Sequence, residues 1–412
     1  MQYGLIGEKL GHSYSCEIHE AIADYRYELM QLRPDELEEF LKKKEFRGIN
    51  VTIPYKQAVI PYLDEISETA EHIGAVNTIV NRDGKLYGDN TDFTGMRELV
   101  THAGIEVCGR KVLILGTGGT SKTALALMNS LGAREVFRVS RKNAPGMITY
   151  AQAKEKHCDA QILVNTTPVG MFPNEEQTPI ELSSFPALEG VIDVVYNPLR
   201  TNLVLDAAAR GIPAEGGLYM LAAQGVHASS VFLGRETDTA LFDRAWHAVK
   251  RGKQNIVLIG MPTSGKTTVG KLLAGRLNMP FYDTDELLAE KFGCHVSAYI
   301  SENGETAFRE EETRMVAETA KRGGCVIATG GGAVLRAENV RALKRSGVLV
   351  FLDRALENLS AAQDRPLSAD SDKLKKMFVE RAPIYRAAAD IAVKADDLPE
   401  AVADTVMKEL EK

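Results

Sequence analysis

Short β-branched or apolar runs alternate with amphipathic, often alanine-rich stretches along the chain. Lys111–Leu115, Glu135–Val139, Ala160–Asn165 and Val191–Val195 form one series, and Asn255–Ile259, Cys325–Ala328 and Val348–Leu352 repeat the pattern later. Runs that are apolar throughout fit strands covered on both faces, which predicts an α/β protein with parallel sheets. Tyr3-Gly4-Leu5-Ile6-Gly7 predicts a first strand and turn, followed at once by Glu8 and Lys9.

Two of these strands run into glycine-rich turns that open helices. Lys111–Leu115 leads into Gly116-Thr117-Gly118-Gly119-Thr120-Ser121, with a helix expected from Lys122. Asn255–Ile259 leads into Gly260-Met261-Pro262-Thr263-Ser264-Gly265-Lys266-Thr267, with a helix over 268–274. Each such unit organises its own sheet, so two nucleotide-binding domains are predicted. The stretch 246–254 is short and basic, without a Gly/Ser run, and is expected to be a compact linker rather than a long tether. No internal repeat or low-complexity tract is visible.

Composition narrows the picture. At ~100–200 residues per domain, 412 residues allow two to four domains. The 44% apolar and 25% charged content is that of an ordinary globular protein. A net charge of -7 argues against a general nucleic-acid partner. No apolar run approaches the ~18 residues of a membrane span, and the start carries no secretory leader pattern, so a cytoplasmic protein without a membrane partner is expected. The five cysteines are far apart, which predicts reduced, mostly packed thiols and no structural zinc.

The later glycine turn has P-loop spacing in the strand–loop–helix context that the motif requires. Loop amides and the helix N-terminus cradle phosphate oxygens, Lys266 reaches the β- and γ-phosphates, and the Thr267 hydroxyl is placed for magnesium. Asp283 and Asp285 alternate at a predicted strand end, which would point both carboxylates to one face. In the earlier turn, Ser121 stands where a G-x-G-x-x-G fingerprint has its third glycine. The next strand ends in Ser140-Arg141-Lys142, a basic tip that favours a 2′-phosphate and hence NADP. Read alone, Lys56 is a surface lysine and Asp92 a helix N-cap before Phe93–Leu99.

Taken together with Gly304-Glu305-Thr306-Ala307-Phe308-Arg309, Gly330-Gly331-Gly332, Arg365-Pro366-Leu367 and Arg381-Ala382-Pro383-Ile384-Tyr385, the P-loop region 255–412 resembles the shikimate kinase family. The resemblance implies a parallel α/β fold of the nucleoside-monophosphate-kinase type. It implies that Gly260, Thr263, Ser264, Gly265, Lys266, Thr267, Thr268 and a lid residue, Arg365, bind ATP. Asp285, Arg309, Gly330, Gly331, Gly332 and Arg381 would bind shikimate, with Thr267 and Asp283 at Mg2+. Arginine's planar fork suits the shikimate carboxylate. The chain departs from the family before Arg365, where 358–364 hold no basic residue to pack on adenine.

Region 1–245 resembles the shikimate dehydrogenase family through Gly11-His12-Ser13-Tyr14-Ser15, Gly48-Ile49-Asn50-Val51-Thr52-Ile53-Pro54-Tyr55-Lys56, Gly74-Ala75-Val76-Asn77-Thr78, Gly88-Asp89-Asn90-Thr91-Asp92, Asn165-Thr166-Thr167-Pro168-Val169-Gly170-Met171, Asp193-Val194-Val195-Tyr196-Asn197-Pro198 and Met220-Leu221-Ala222-Ala223-Gln224. The resemblance implies an α/β substrate subdomain, 1–100 and about 217–245, around a Rossmann-type NADP subdomain, 101–216. Lys56 and Asp92 would be the catalytic pair. Free lysine titrates near ~10.4, so Lys56 is expected to act chiefly as a charged donor to the developing alkoxide. Ser13 and Ser15 would bind the substrate carboxylate, Thr52, Asn77 and Gln224 its ring hydroxyls, and Tyr196 would close the pocket beside the nicotinamide. Gly116, Thr117, Gly118, Gly119, Thr120, Ser140, Arg141 and Gly217 would hold NADP(H). The family often has a lysine between the two serines, where this chain has Tyr14, and an Asn-Arg-Thr clamp where it has Ser140-Arg141-Lys142.

The two halves fit one another. The expected activities are reduction of 3-dehydroshikimate to shikimate with NADPH, then phosphorylation of shikimate at its 3-hydroxyl with ATP. Two alternatives stay open: a quinate-type dehydrogenase joined to another small-molecule kinase, and a regulator that keeps its halves as ligand sensors. The sequence leaves a homodimer open.

Overall fold

The computed structural model describes residues 2–11, 13–359 and 371–411. It divides into two compact units, Met1–Lys250 and Arg251–Lys412. Among the described residues no helix is long and apolar enough to cross a membrane.

The first unit holds two six-stranded sheets. The first sheet runs in the order Tyr27–Gln31, Tyr3–Gly7, Gly48–Val51, Thr78–Arg82, Lys85–Asp89, Glu65–Ile66. It is mixed, with Thr78–Arg82 antiparallel to both its neighbours. The second is parallel throughout, in the order Ala214–Gly216, Gly190–Asp193, Ile162–Asn165, Lys111–Leu115, Glu135–Ser140, Ile148–Thr149. Lys111–Leu115 is buried along its whole length, as a strand covered on both faces must be. The chain leaves it for Glu135–Ser140 on one side and later returns to Ile162–Asn165 on the other. Strand order reverses there, which opens a crevice at the strand's carboxyl end.

Helices Thr91–His102 and Leu218–Leu233 pack closely within the core of this unit. Their approach depends on Gly95. A Cβ there would lie 2.8 Å from the Met220 carbonyl oxygen and 2.6 Å from Gln224 Cγ, and a backbone carbonyl cannot yield cheaply. The contact brings Gln224 and Asp92 to one cavity.

Residues 246–254, expected as a linker, largely continue helix Ala240–Lys253. Phe242, Ala245 and Val249 recur at helical spacing and are buried in the core of the first unit, so the segment is held by packing rather than left as a connector. Trp246, the only tryptophan of the chain, packs edge-on against His102 and Tyr219, with Lys250 Nζ 4.1 Å from its ring centre.

The second unit is one five-stranded parallel sheet, ordered Phe281–Asp283, Val326–Ala328, Asn255–Ile259, Gly347–Asp353, Ile391–Lys394. Asn255–Ile259 is central and fully buried, and the P-loop leaves its carboxyl end. The expected packing of the cysteines needs correction. Cys325 is buried, Cys16 and Cys294 are half-buried, and Cys108 and Cys158 lie exposed in turns.

Candidate active sites

In the first unit, Tyr55 is buried and its hydroxyl donates to the Leu32 carbonyl at 2.5 Å, while Val76 N–H donates to the Lys56 carbonyl at 2.8 Å. The backbone of Lys56 is thereby fixed at the rim of a cavity of about 380 Å³. Its Nζ donates to Asp92 Oδ2 at 2.6 Å. Asn77 Nδ2 donates to Asp92 Oδ1 at 3.0 Å, so both carboxylate oxygens are held. The helix cap is Asn90, whose Oδ1 accepts the Asp92 N–H at 3.0 Å. Asp92 is therefore not a cap but sits one residue into the helix, with its side chain turned to the cavity.

Ser13, Ser15, Thr52, Asn77, Tyr196 and Gln224 line the same cavity, as do Thr120 and Gly217. Ser13 Oγ donates to Ser15 Oγ at 3.0 Å, so the two hydroxyls converge. Gly116, Thr117, Gly118 and Gly119 form the turn after the central strand, and the helix begins at Gly119, not Lys122. That helix starts without a side-chain cap, and a Cβ on Gly118 or Gly119 would meet nothing within 4 Å. Amides and space fit a dinucleotide pyrophosphate. Ser140 is buried and its Oγ accepts the Lys142 N–H at 3.1 Å, which shapes the turn that leaves Arg141 exposed.

A buried polar network that the motifs did not reveal supports the cofactor side. Asp193 Oδ1 accepts from Asn165 Nδ2 at 2.9 Å and from Val195 N–H at 3.0 Å, and its Oδ2 accepts from the Thr201 hydroxyl at 2.6 Å. Asn165 Oδ1 in turn accepts from the Thr167 hydroxyl at 2.7 Å. The loops carrying Thr166 and Tyr196 are tied together at the strand ends. Burial pushes the Asp193 carboxyl up to about 6, against the three hydrogen bonds that favour its charged form.

His19 also lines the cavity, fully buried, with its ring stacked 3.9 Å from that of Tyr27 and Nδ1 2.7 Å from the Tyr25 hydroxyl. Burial pushes its pKa down to about 3, slightly opposed by Asn50. A lowered folded value means that this stability is full above the unfolded value, near 6.5, and is lost as pH falls towards 3. Urea unfolding followed by Trp246 emission should weaken between pH 6.5 and 4, by at most about 1.4 kcal/mol per pH unit from this group. His19→Gln should remove that part of the slope. An unchanged slope in the variant would assign the acid sensitivity elsewhere.

In the second unit the cavity encloses about 340 Å³. Thr267, Asp283, Asp285, Arg309, Arg381 and the Gly330–Gly332 turn all line it. Strand Phe281–Asp283 ends at Asp283, and Asp285 lies in the first turn of helix Thr284–Phe292. The two carboxylates do not alternate on one strand as expected, because Asp283 Oδ1 accepts the Asp285 N–H at 3.0 Å and caps the helix. Its other oxygen accepts from the Thr267 hydroxyl at 2.7 Å. This Thr–Asp pair beside the P-loop supplies the oxygen donors that would suit a magnesium ion. Lys266 is buried, and its Nζ donates to the Gly260 and Met261 carbonyls at 3.0 and 2.8 Å. Among the described residues, helix Lys266–Leu277 has no side-chain cap and Ser264 Oγ is buried without a hydrogen-bond partner, which suits a phosphate ligand. Thr263 is half-buried in the loop and Thr268 is exposed on the helix's first turn. Arg365 lies outside the described residues.

Arg309 and Arg381 reach this cavity from helices Glu305–Ala320 and Ser371–Ala388. Sequence reading missed what positions them. Glu312 is 1% exposed and accepts from Arg309 Nη1 at 2.6 Å. Burial pushes its carboxyl above the ordinary range, with Arg309 pulling the other way. The signal was an i,i+3 pair, but Glu310, Glu311 and Glu312 form one run, and only packing selects the last. Tyr385 donates its hydroxyl to the Gly331 carbonyl, which Arg381 Nη1 also approaches, at 3.4 Å. Gly330 N–H donates to Thr284 Oγ1 at 3.0 Å, and the Arg309 guanidinium occupies the place that a side chain on Gly332 would need. Arg354 was also missed. Its Nη1 lies 3.8 Å from where a Cβ on Gly265 would sit, beside the P-loop.

Comparison with known proteins finds relatives for both parts of the chain. Residues 262–411 match the family model for shikimate kinase, and residues 5–79 match that for the shikimate dehydrogenase substrate binding domain. Shikimate dehydrogenase (NADP(+)) of Clostridium perfringens is 36% identical over 266 residues, covering 60% of this chain and 98% of the relative. The protein of the same description from Halothermothrix orenii is 37% identical, over 56% of this chain and 90% of its own length. Among solved structures, shikimate dehydrogenase 1 of Peptoclostridium difficile superposes with a TM-score of 0.55 at 33% identity, covering 60% of this chain and 98% of that one. The Thermus thermophilus shikimate 5-dehydrogenase in complex with NADP(H) and shikimate does so at 0.55 and 30%, covering 60% and 99%.

Proposed function

We propose, from the premise that this chain belongs to the shikimate dehydrogenase family and carries a shikimate kinase domain behind it, that it performs two consecutive steps of aromatic amino-acid biosynthesis. The first is the reversible, NADPH-dependent reduction of 3-dehydroshikimate to shikimate. The second is the Mg-ATP-dependent phosphorylation of shikimate to shikimate 3-phosphate. One observation carries the reading: two cavities in one chain, each beside its own phosphate-type turn, and each lined by groups suited to a small hydroxylated carboxylate. The cytoplasm is the compartment this reading implies.

NADPH, when bound, supplies the hydride for the first step. Lys56 then gives a proton to the ketone oxygen as charge develops on it, and takes it back in reverse. Asp92, held by Asn77, aims the Lys56 ammonium. Ser13 and Ser15 bind the carboxylate, while Thr52, Asn77 and Gln224 discriminate the ring hydroxyls. Tyr196 closes the nicotinamide side. In this reading 101–216 carry the cofactor, and 1–100 with about 217–245 carry the substrate.

ATP with magnesium supplies the phosphoryl group for the second step. Asp285 orients the attacking hydroxyl, and Arg309 and Arg381 clamp the shikimate carboxylate with charge-assisted bonds. Glu312 keeps the Arg309 fork in one orientation. Lys266 balances charge on the transferring phosphoryl, and Thr267 and Asp283 hold the metal.

One coupled assay tests both halves. The chain is given 3-dehydroshikimate, NADPH and Mg-ATP, and shikimate 3-phosphate is the expected product. Shikimate without its phosphate would sink the kinase half. Phosphorylation of added shikimate without NADPH oxidation would sink the dehydrogenase half, and faster turnover of quinate with NAD would move the first site to that substrate.

A further inference from the structure

The dehydrogenase cavity has a charge problem. Its charged lining residues, among those described, are Lys9, Lys56 and Asp92. Lys56 and Asp92 are 2.6 Å apart and cancel. His19 also faces the cavity but is held neutral by burial. Tyr14, between the two serines where the resembled family often has a lysine, is buried and packs edge-on against Tyr196, with ring centres 5.4 Å apart. The serine hydroxyls are neutral donors. Moving a carboxylate from water into a partly enclosed site that offers only neutral donors costs free energy, and charge-assisted bonds are roughly twice as strong.

We propose that Lys9 is the cation that binds the substrate carboxylate in the dehydrogenase site. Lys9 and Ser13 lie on the connection between strand Tyr3–Gly7 and the helix Ser15–Ile22, which Ser15 opens, and all three line the cavity. Lys9 is exposed, and among the described residues it has no ion pair or hydrogen bond to compete for it. Its long flexible stem allows the ammonium to close on a carboxylate held at the serines, and its own charge makes up the missing unit. Lys9 binds and orients the substrate; the proton transfer stays with Lys56. The inference rests on the reading of Ser13 and Ser15 as the carboxylate site.

The test uses the full chain, with shikimate and its uncharged methyl ester as substrates for NADP reduction. For Lys9→Met the KM for shikimate should rise about tenfold, with kcat within about twofold. The ester should be handled alike by wild type and variant, so that the preference for acid over ester collapses. Lys9→Arg should restore most of it. The KM for shikimate should climb with salt in the wild type and stay flatter in the methionine variant. Retained kinase activity and Trp246 emission report that the variant is folded. Equal effects on acid and ester, an unchanged KM for shikimate, or a shift in the KM for NADP instead would each overturn the proposal. If the wild type fails to oxidise shikimate at all, the underlying dehydrogenase reading fails, which is a different result.

Discussion

Lys266→Ala will lower phosphorylation of shikimate by about 10³-fold while NADPH-dependent reduction continues at the wild-type rate. The lysine is buried at the P-loop, and its Nζ is held by the Gly260 and Met261 carbonyls. Its charge is therefore preorganised, which is what makes one electrostatic contact worth several kcal/mol in a transition state. Alanine removes that charge, and Thr267 and Asp283 keep their own hydrogen bond, so the loss is catalytic more than structural. Thr267 and Asp283 remain paired, and magnesium-dependent nucleotide binding should weaken less than kcat falls. Parallel assays of the two activities with the purified variant check this. Loss of both activities in a folded protein would contradict two separate sites.

Lys56→Ala should give the converse, a fall of about 10³-fold in dehydrogenase turnover with kinase activity intact. Here a structural cost accompanies the catalytic one. Asp92 is 7% exposed and loses its 2.6 Å partner. Asn77 and the helix N-terminus still support its charge, and Lys56 itself is about a quarter exposed, so the loss of stability should be about 1–3 kcal/mol rather than that of a fully buried broken pair. Urea unfolding followed by Trp246 emission measures this directly, because the tryptophan is unique and lies in the first unit. Rates in both directions should fall together, since one group gives and takes the proton. A variant that kept more than a tenth of the wild-type rate would exclude Lys56 as the principal donor.

Much of the architecture was legible because it is local. Lys111–Leu115 and Asn255–Ile259 are strands with the bounds that their apolar runs predict, since each is central in a parallel sheet and covered on both faces. Errors fall where a local signal was weak or a tertiary contact overrode it. The basic stretch 246–254 looked like a connector, yet Phe242, Ala245 and Val249 carry it as a helix into the core. Asp285 looked like a strand residue until the Asp283 cap turned the chain into a helix. The cysteines of turns 108 and 158 cannot be told from packed ones without knowing which surface the turns occupy.

The sequence by itself determined the two glycine turns, the class of fold around each, and the residue types available for phosphate, carboxylate and proton chemistry. These follow from spacing along the chain, where backbone geometry sets what neighbours can do. Only the tertiary structure decided which groups meet across long separations. It closed Lys56 on Asp92, brought Gln224 to the same cavity through the close approach at Gly95, chose Glu312 from three adjacent glutamates, and left Lys9 as the cavity's uncompensated charge once Lys56 and Asp92 had paired. The physical reason is that charge balance and close approach belong to a volume, and no interval along a chain fixes what fills it.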